Sequence, residues 1–536
     1  MDIQYYLADK NKLIGYLIPS WMNPDETDYR FHTLQVGVNI WWSALFDMPI
    51  THGAYDSSHY ESNDYNYWTD SAFHGELTTH WNTPIEISKN NLLFLADWRA
   101  IRYLLGVEKE IVEKTEYSLG ESINSPSTVA TFLTKDLDLV DRKGIKDIPI
   151  DQLKDEETKG GVLTYFRIKD SVVSPIIKTT NAPAILVIGD DRLAYENILR
   201  NLAHLNLNSR FVVPVKGPES LNEVSPDDLN KFEIVVLQYY KASDRGWQKL
   251  EKYVQAGGNL IIDTGSDVKE SDTKKQNISE ELPAIFPIKQ TARGVLGKEW
   301  DLSYSPEEPL LKAVNTQEFG PLKYEGGSWN ISYADPSAVR SWAHVILNQD
   351  DKPFLVAGQL GQGKVIWSGL NLFYHFNQYF SPAEGQLMKN IIGSMIDLKD
   401  EGTLDFEVDR PRPEKIIIEG NNFKGAVLKE NNYGGWEARM LEPYKKKLKV
   451  FKAGLSYVYV QLPADVSGQA KVELYYRGTA FNWFFFLLAL ILSLWLVFKS
   501  LIEVKQFRIL EKIDIFGFIM KKLKKQITGW WDKEDE

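Results

Sequence analysis

Residues 184–188 read Ala-Ile-Leu-Val-Ile and run straight into Gly189-Asp190-Asp191. A short, continuous apolar run of this kind is the pattern of a strand buried on both faces, which belongs to a sheet covered by helices. Downstream, Leu193–Leu205 has a helical pattern, Arg210–Val215 and Phe232–Leu237 (FEIVVL) read as strands, and Trp247–Ala256 reads as a helix stopped by Gly257-Gly258. Leu260–Ile262 then leads into Asp263-Thr264-Gly265. Residues 283–350 read as an inserted run of mixed strands and loops. The turn Gly361-Gln362-Gly363-Lys364 and the run VIWSGL return to the sheet, which Leu387–Ile396 closes as a helix. Alternating strands and helices predict a parallel α/β domain over 183–400, with an insertion at about 270–350. In such sheets ligands sit at the carboxyl ends of the strands. Asp190, Asp191, Gln238, Tyr239, Asp263 and Thr264 all fall on that edge.

The flanks differ in character. Residues 1–110 form an aromatic and histidine-rich α+β region, and 111–182 a connecting region of short strands. Leu92–Leu105 (LLFLADWRAIRYLL) reads as a helix or a helix followed by a strand. Residues 408–478 hold short alternating strands at regular spacing, predicting a β-sandwich. Phe481–Phe498 is an uncharged run, FNWFFFLLALILSLWLVF, which predicts a transmembrane helix over 481–502. Residues 505–531 then read as an amphipathic tail helix. Lys499, Lys505, Arg508 and Lys512 follow the span while only Lys471 and Arg477 precede it, so the tail is expected in the cytoplasm and residues 1–480 outside. The predicted fold is thus multidomain α/β plus β, with a membrane-proximal β-sandwich and one C-terminal span. No export signal is legible at Met1–Leu7, so the chain reads as a split-gene subunit, a part of a longer protein, or a tail-anchored protein.

The chain has 536 residues, 43% hydrophobic and 25% charged, as an ordinary globular protein does. Cysteine is absent, which excludes disulfides, thiolate-bound metals and a thiol nucleophile. A net charge of -12 speaks against a general nucleic-acid-binding surface. The 16 Trp, 26 Tyr and 25 Phe are numerous enough to raise stacking on sugar rings as a role.

Two resemblances stand on specific motifs. Val427–Met440 (VLKENNYGGWEARM), Lys449–Pro463 (KVFKAGLSYVYVQLP) and Val472–Gly478 (VELYYRG) resemble the membrane-proximal β-sandwich of polytopic membrane proteins with a glycosyltransferase-C-like core. These include the group described as 6-pyruvoyl-tetrahydropterin synthase-related. Met48–Asp56 and Asp97–Leu105 are similar to the region that follows the membrane core in that group. Where the group carries Tyr-Pro-Gly-Trp, this chain has Tyr433-Gly434-Gly435-Trp436. The order from Ala184 through YVQAGGNLIIDTG to GQGKVIWSGLN resembles the class I glutamine-amidotransferase fold. True members carry a cysteine where Asp263-Thr264 stands here, so the resemblance implies the fold without glutaminase activity. His375 falls where it could stand for the triad histidine, and without a nucleophile it is expected to pack or to bind.

The best local candidate for a site is the window His52–Trp81, holding His52, His59, His74 and His80 with interleaved acids. Their spacing matches no metal signature, so no metal or cofactor is assigned. Tyr60, Tyr65, Tyr67 and Trp68 could stack on a sugar, although a structured loop is the simpler account. Asp190, Asp191, Tyr239 and Asp263 form the second candidate, with helix capping and turn formation as the simpler account for the acids. Asn277-Ile278-Ser279 and Asn330-Ile331-Ser332 match the glycosylation triplet. The expected function is a membrane-anchored, extracytoplasmic, soluble glycan-binding or partner-docking part of a glycosyltransferase-C-like system, without catalysis of its own. An envelope glycan hydrolase using the α/β domain and a structural envelope protein are the alternatives. The expected partners are the lipid bilayer, a polytopic membrane protein and a glycan or lipid-linked sugar, and no nucleic acid.

Overall fold

The computed structural model describes residues 27–32, 49–51, 60–73, 77, 82–109, 140–144, 161–169, 171–190, 193–263, 281–324, 326–402, 404–478 and 480–503. Twelve strands form one sheet. In chain order they are β1 (Ile177–Thr180), β2 (Ala184–Gly189), β3 (Val213–Lys216), β4 (Ile234–Gln238), β5 (Asn259–Asp263), β6 (Leu302–Ser303), β7 (Ala343–Gln349), β8 (Lys352–Leu360), β9 (Gly363–Ser368), β10 (Gly425–Asn431), β11 (Val450–Ala453) and β12 (Tyr457–Gln461). Their order across the sheet is β6-β7-β8-β9-β5-β4-β2-β3-β11-β12-β10-β1.

The centre is parallel, running β9-β5-β4-β2-β3. Every residue of β2 and β4 is buried, as the apolar runs AILVI and IVVL require. Antiparallel strands extend both sides: β8, β7 and β6 on one, β11, β12, β10 and β1 on the other.

The main helices are α1 (Tyr60–Phe73), α2 (Ile85–Trp98), α3 (Ala194–His204), α4 (Asp244–Gln255), α5 (Leu372–Tyr379), α6 (Pro382–Met395) and α7 (Ala480–Glu503). In α3 the apolar face Ala194, Ile198, Leu199 and Leu202 is buried, while Glu196 and Arg200 pair one turn apart at 2.6 Å. Helix α6 opens on Ser381, whose Oγ accepts the Glu384 N–H, with Pro382 at the first helical position.

Three expectations about the fold are corrected. The sheet is mixed rather than parallel, because the insertion supplies β6, and β7 to β8 continue it as antiparallel strands. Residues 408–478 do not form a sandwich of their own. Strands β10, β11 and β12 join the central sheet, while Phe406–Arg412, Lys415–Asn421, Trp436–Glu442, Lys446–Leu448 and Gln469–Tyr476 make a five-stranded sheet. The physical reason is the burial pattern. Lys415–Asn421 alternates, as a strand covered on one face does, whereas Gly425–Lys429 and Tyr457–Val460 are buried throughout and fit a helix-covered sheet.

The third correction concerns the membrane. Among the described residues no helix is long and apolar enough to cross a membrane. The single-pass assignment and the extracytoplasmic placement of residues 1–480 fall with it, and the tail helix at 505–531 lies outside the described residues.

The chain divides into two compact units, residues 1–432 with 437–475, and 433–436 with 476–536. In the second, the Gly435 carbonyl accepts the Arg477 N–H at 2.8 Å and the rings of Trp436 and Tyr476 lie 5.3 Å apart.

Candidate functional site

The carboxyl edge of the parallel strands gathers several of the predicted residues. Strand β4 ends at Gln238, β5 at Asp263, and Gly369–Asn371 carries the chain from β9 into α5. Asp263 is fully buried. Its Oδ1 accepts the Leu372 N–H at 2.8 Å, and its Oδ2 accepts the Phe373 N–H at 3.0 Å and Gln238 Nε2 at 3.1 Å. The carboxylate therefore satisfies two N–H groups in the first turn of α5, which have no partner inside the helix. Burial pushes its pKa up to about 6, against the opposing pull of these hydrogen bonds.

Gln238 links two layers of the site. Its Nε2 also donates to Asn371 Oδ1 at 2.8 Å, and Asn371 Nδ2 donates to Tyr239 Oη at 2.7 Å. Gln238 Oε1 is buried and has no hydrogen-bond partner among the described residues. Tyr239 and Asn371 both adopt left-handed backbone, at φ 51° and 60°. For a tyrosine this geometry costs about 1–2 kcal/mol. Asp190 sits beside them: its N–H donates to the Tyr239 carbonyl at 2.9 Å, and its Oδ1 accepts the Leu193 N–H at 3.0 Å. Gly189 is required here, since a Cβ would stand 1.7 Å from the Gln238 carbonyl oxygen.

Next along α5, Tyr374 is 38% exposed and stacks on buried Trp329, with centroids 5.8 Å apart. His375 points the other way and is fully buried. Its Nδ1 lies 2.9 Å from both carboxylate oxygens of Glu384, its Nε2 3.3 Å from the Pro321 carbonyl, and Trp329 covers it edge-on at 4.5 Å. Glu384 Oε1 also accepts the Gly320 N–H at 2.7 Å. His375 thus packs as one half of a buried pair.

The aromatic window is divided. Tyr65 and Trp68 are core residues; Trp68 Nε1 donates to Asn91 Oδ1 at 3.2 Å and the Arg200 guanidinium lies 4.8 Å from its ring. Tyr67 alone of the three is exposed, at 58%. His52, His59, His74, His80, Asp191 and the side chain of Tyr60 lie outside the described residues. Among the described residues no group of three or more His, Asp and Glu is placed to hold a metal. Ser332 of the glycosylation triplet is buried inside a strand.

A buried charged cluster built on Asp97 was not legible in the sequence. Asp97, Lys178 and Lys429 are all fully buried. Asp97 Oδ1 accepts the Ser174 N–H at 2.9 Å and its Oδ2 accepts the Ser209 N–H at 3.0 Å. Lys429 Nζ donates to the Asp97 carbonyl, and to Ser174 Oγ at 2.8 Å and the Ser174 carbonyl at 2.9 Å. Lys178 Nζ donates to the Ser209 carbonyl at 2.9 Å. Burial pushes Lys429 down to about 7 and Lys178 to about 8. Burial raises Asp97, but the two ammonium groups and the two serines outweigh it and hold it at about 2.

No family model matches the sequence, and no curated protein matches it. Among solved structures, the cytoplasmic protein STM3548 of Salmonella typhimurium is similar at 15% identity and a TM-score of 0.26, over 40% of this chain and 98% of its own. The N-terminal domain of mmIFT52 is similar at 13% identity and a TM-score of 0.26, over 40% and 99%. A β-galactosidase from Bacillus circulans sp. alkalophilus is similar at 14% identity and a TM-score of 0.26, over 55% of this chain and 42% of that one. Likeness at this level carries no argument about what the chain does.

Proposed function

We propose that the protein is a non-catalytic glycan-binding module that takes a sugar at the carboxyl edge of its parallel strands, as the binding part of a glycosyltransferase-C-like system. The observation that carries this reading is the hydrogen-bonded run Asp263–Gln238–Asn371–Tyr239. It holds a strained tyrosine at the edge where α/β sheets take ligands, and strained backbone persists where the surroundings enforce it, often at functional positions. The half-buried ring of Tyr239, a neighbouring carboxylate at Asp190 and the exposed ring of Tyr374 supply the stacking surface and hydroxyl partners that a sugar needs.

The same geometry supports binding over catalysis. Both oxygens of Asp263 are engaged by α5 and Gln238, and the chain has no cysteine. The full chain on a glycan array, followed by titration of any hit, tests the reading. Tyr239→Ala and Asp190→Ala are expected to weaken a hit at least tenfold while Tyr67→Ala leaves it unchanged. An array with no hit sinks it.

A further inference from the structure

The sequence Tyr444-Lys445-Lys446-Lys447-Leu448-Lys449 turns into Lys446–Leu448, the edge strand of the five-stranded sheet. Lysine on an edge strand is ordinary, because a charge there discourages pairing with another chain. This edge carries more than that purpose needs. Lys445, Lys446 and Lys447 are exposed, and none forms an ion pair among the described residues. Lys447 also stands directly across from Arg439 in the antiparallel ladder. Like charges directly opposite each other in a ladder repel and destabilise the pairing.

Arg439 meets a single carboxylate, Glu437, at 3.9 Å, while Lys449 is taken by Asp228 at 2.7 Å. The nearby Asp465 accepts a hydrogen bond from Tyr444 at 2.8 Å. Below this face the strands are anchored by buried Ala438, Met440 and Leu448, so the cations stand on a fixed platform.

We propose that the Arg439–Lys447 face, with Lys445 beside it, is a binding site for an acidic glycan, one bearing carboxylate or sulfate groups. The cross-strand pair sets the Cβ atoms of two cationic side chains about 5 Å apart, and Lys445 immediately precedes the strand that carries Lys447. This suits a short row of anionic groups. A net charge of -12 over the whole chain opposes a long duplex lying across it and leaves this patch as a local exception. The proposal is independent of the sheet-edge reading, whose residues lie in other strands.

Titration of the full chain with heparin fragments as the probe tests it, against vesicles of anionic phospholipid and duplex DNA as competitors. Heparin is expected to bind with an affinity whose logarithm falls linearly with the logarithm of salt concentration. Lys445→Glu/Lys447→Glu is expected to weaken it at least tenfold, Lys445→Gln/Lys447→Gln by less, and Lys298→Glu to leave it unchanged. The unfolding midpoint of each variant, expected to match the parent, shows that the fold is intact. Absence of binding, equal loss in Lys298→Glu, or displacement of heparin by vesicles or DNA at lower concentration overturns the proposal.

Discussion

Lys429 Nζ lies 3.7 Å from Asp97 Oδ1, with both side chains fully buried and 332 positions apart in the chain. One carboxylate faces two lysines here, Lys178 being the second, and Arg30 also donates to the Lys429 carbonyl. An unfolded lysine keeps its proton to about pH 10.4, whereas Lys429 in the folded chain sheds it near 7. Between those values the unfolded state binds more protons, so stability rises with pH. The unfolding midpoint is expected to climb from pH 7 toward 10, and Lys429→Met to flatten the climb. A midpoint that falls across this window contradicts the assignment.

Removing the carboxylate tests the same cluster from the other side. At pH 5, below the folded values of both lysines, Asp97→Asn leaves two buried ammonium groups without a counter-charge, and loss of one partner from a buried pair costs about 3–5 kcal/mol. Adding Lys429→Met should recover part of that loss in a double-mutant cycle by chemical denaturation. Strictly additive losses would mean that the two groups do not interact.

Asp263 behaves oppositely with pH. Its folded pKa, about 6, lies above the unfolded value of about 3.9. Its contribution is fully present below pH 4 and is lost as pH rises to 6. The stability difference between the parent and Asp263→Asn should therefore shift in favour of the variant from pH 4 to 6. Asp263→Ala, which leaves the N–H groups of Leu372 and Phe373 unmet, should cost about 1–2 kcal/mol. Denaturant curves at each pH measure both.

His375→Leu strands a buried carboxylate. Glu384 would keep the Gly320 N–H but lose the imidazole at 2.9 Å, and a loss of about 3 kcal/mol is expected. Combining it with Glu384→Leu should cost less than the two changes summed. Equality of the sum and the double variant would sink the pairing.

Gly454 sits at φ 54°, and a Cβ there would come within 2.3 Å of the Trp98 ring. Gly454→Ala is therefore expected to destabilise by about 1–3 kcal/mol. Its thermal midpoint should drop while Gly468→Ala, whose Cβ meets nothing within 4 Å but shares the left-handed backbone, drops less.

The parallel core was legible because AILVI, IVVL and LII are unbroken apolar runs set between helical patterns. The helix-then-strand reading of Leu92–Leu105 also matches α2 followed by Ile101–Lys109. The sites were harder to see. Asp263 and Tyr239 could be placed at the sheet edge from strand order, but nothing marked Asn371 as their link, since it follows β9 more than 100 residues later. Lys178 and Lys429 sit in IKTT and VLKEN, where a lysine ordinarily marks a solvated position. Only the approach of α2 and residues 174–209 makes them interior. The alternation of residues 408–478 misled for a related reason. It told which strands have a wet face, but not that their neighbours would be shared with a sheet begun 250 residues earlier.

That sharing sets a timetable for synthesis. Among the described strands β1 pairs only with β10, and β3 receives its second neighbour only when β11 arrives. The ribosome must add roughly 250 residues after β1, some 12–50 seconds at about 5–20 residues per second. Throughout that interval β3 presents an open strand edge and Lys178 waits without its aspartate-centred cluster complete. A chain released early, before Val450, would be prone to pair with its own copies through that open edge.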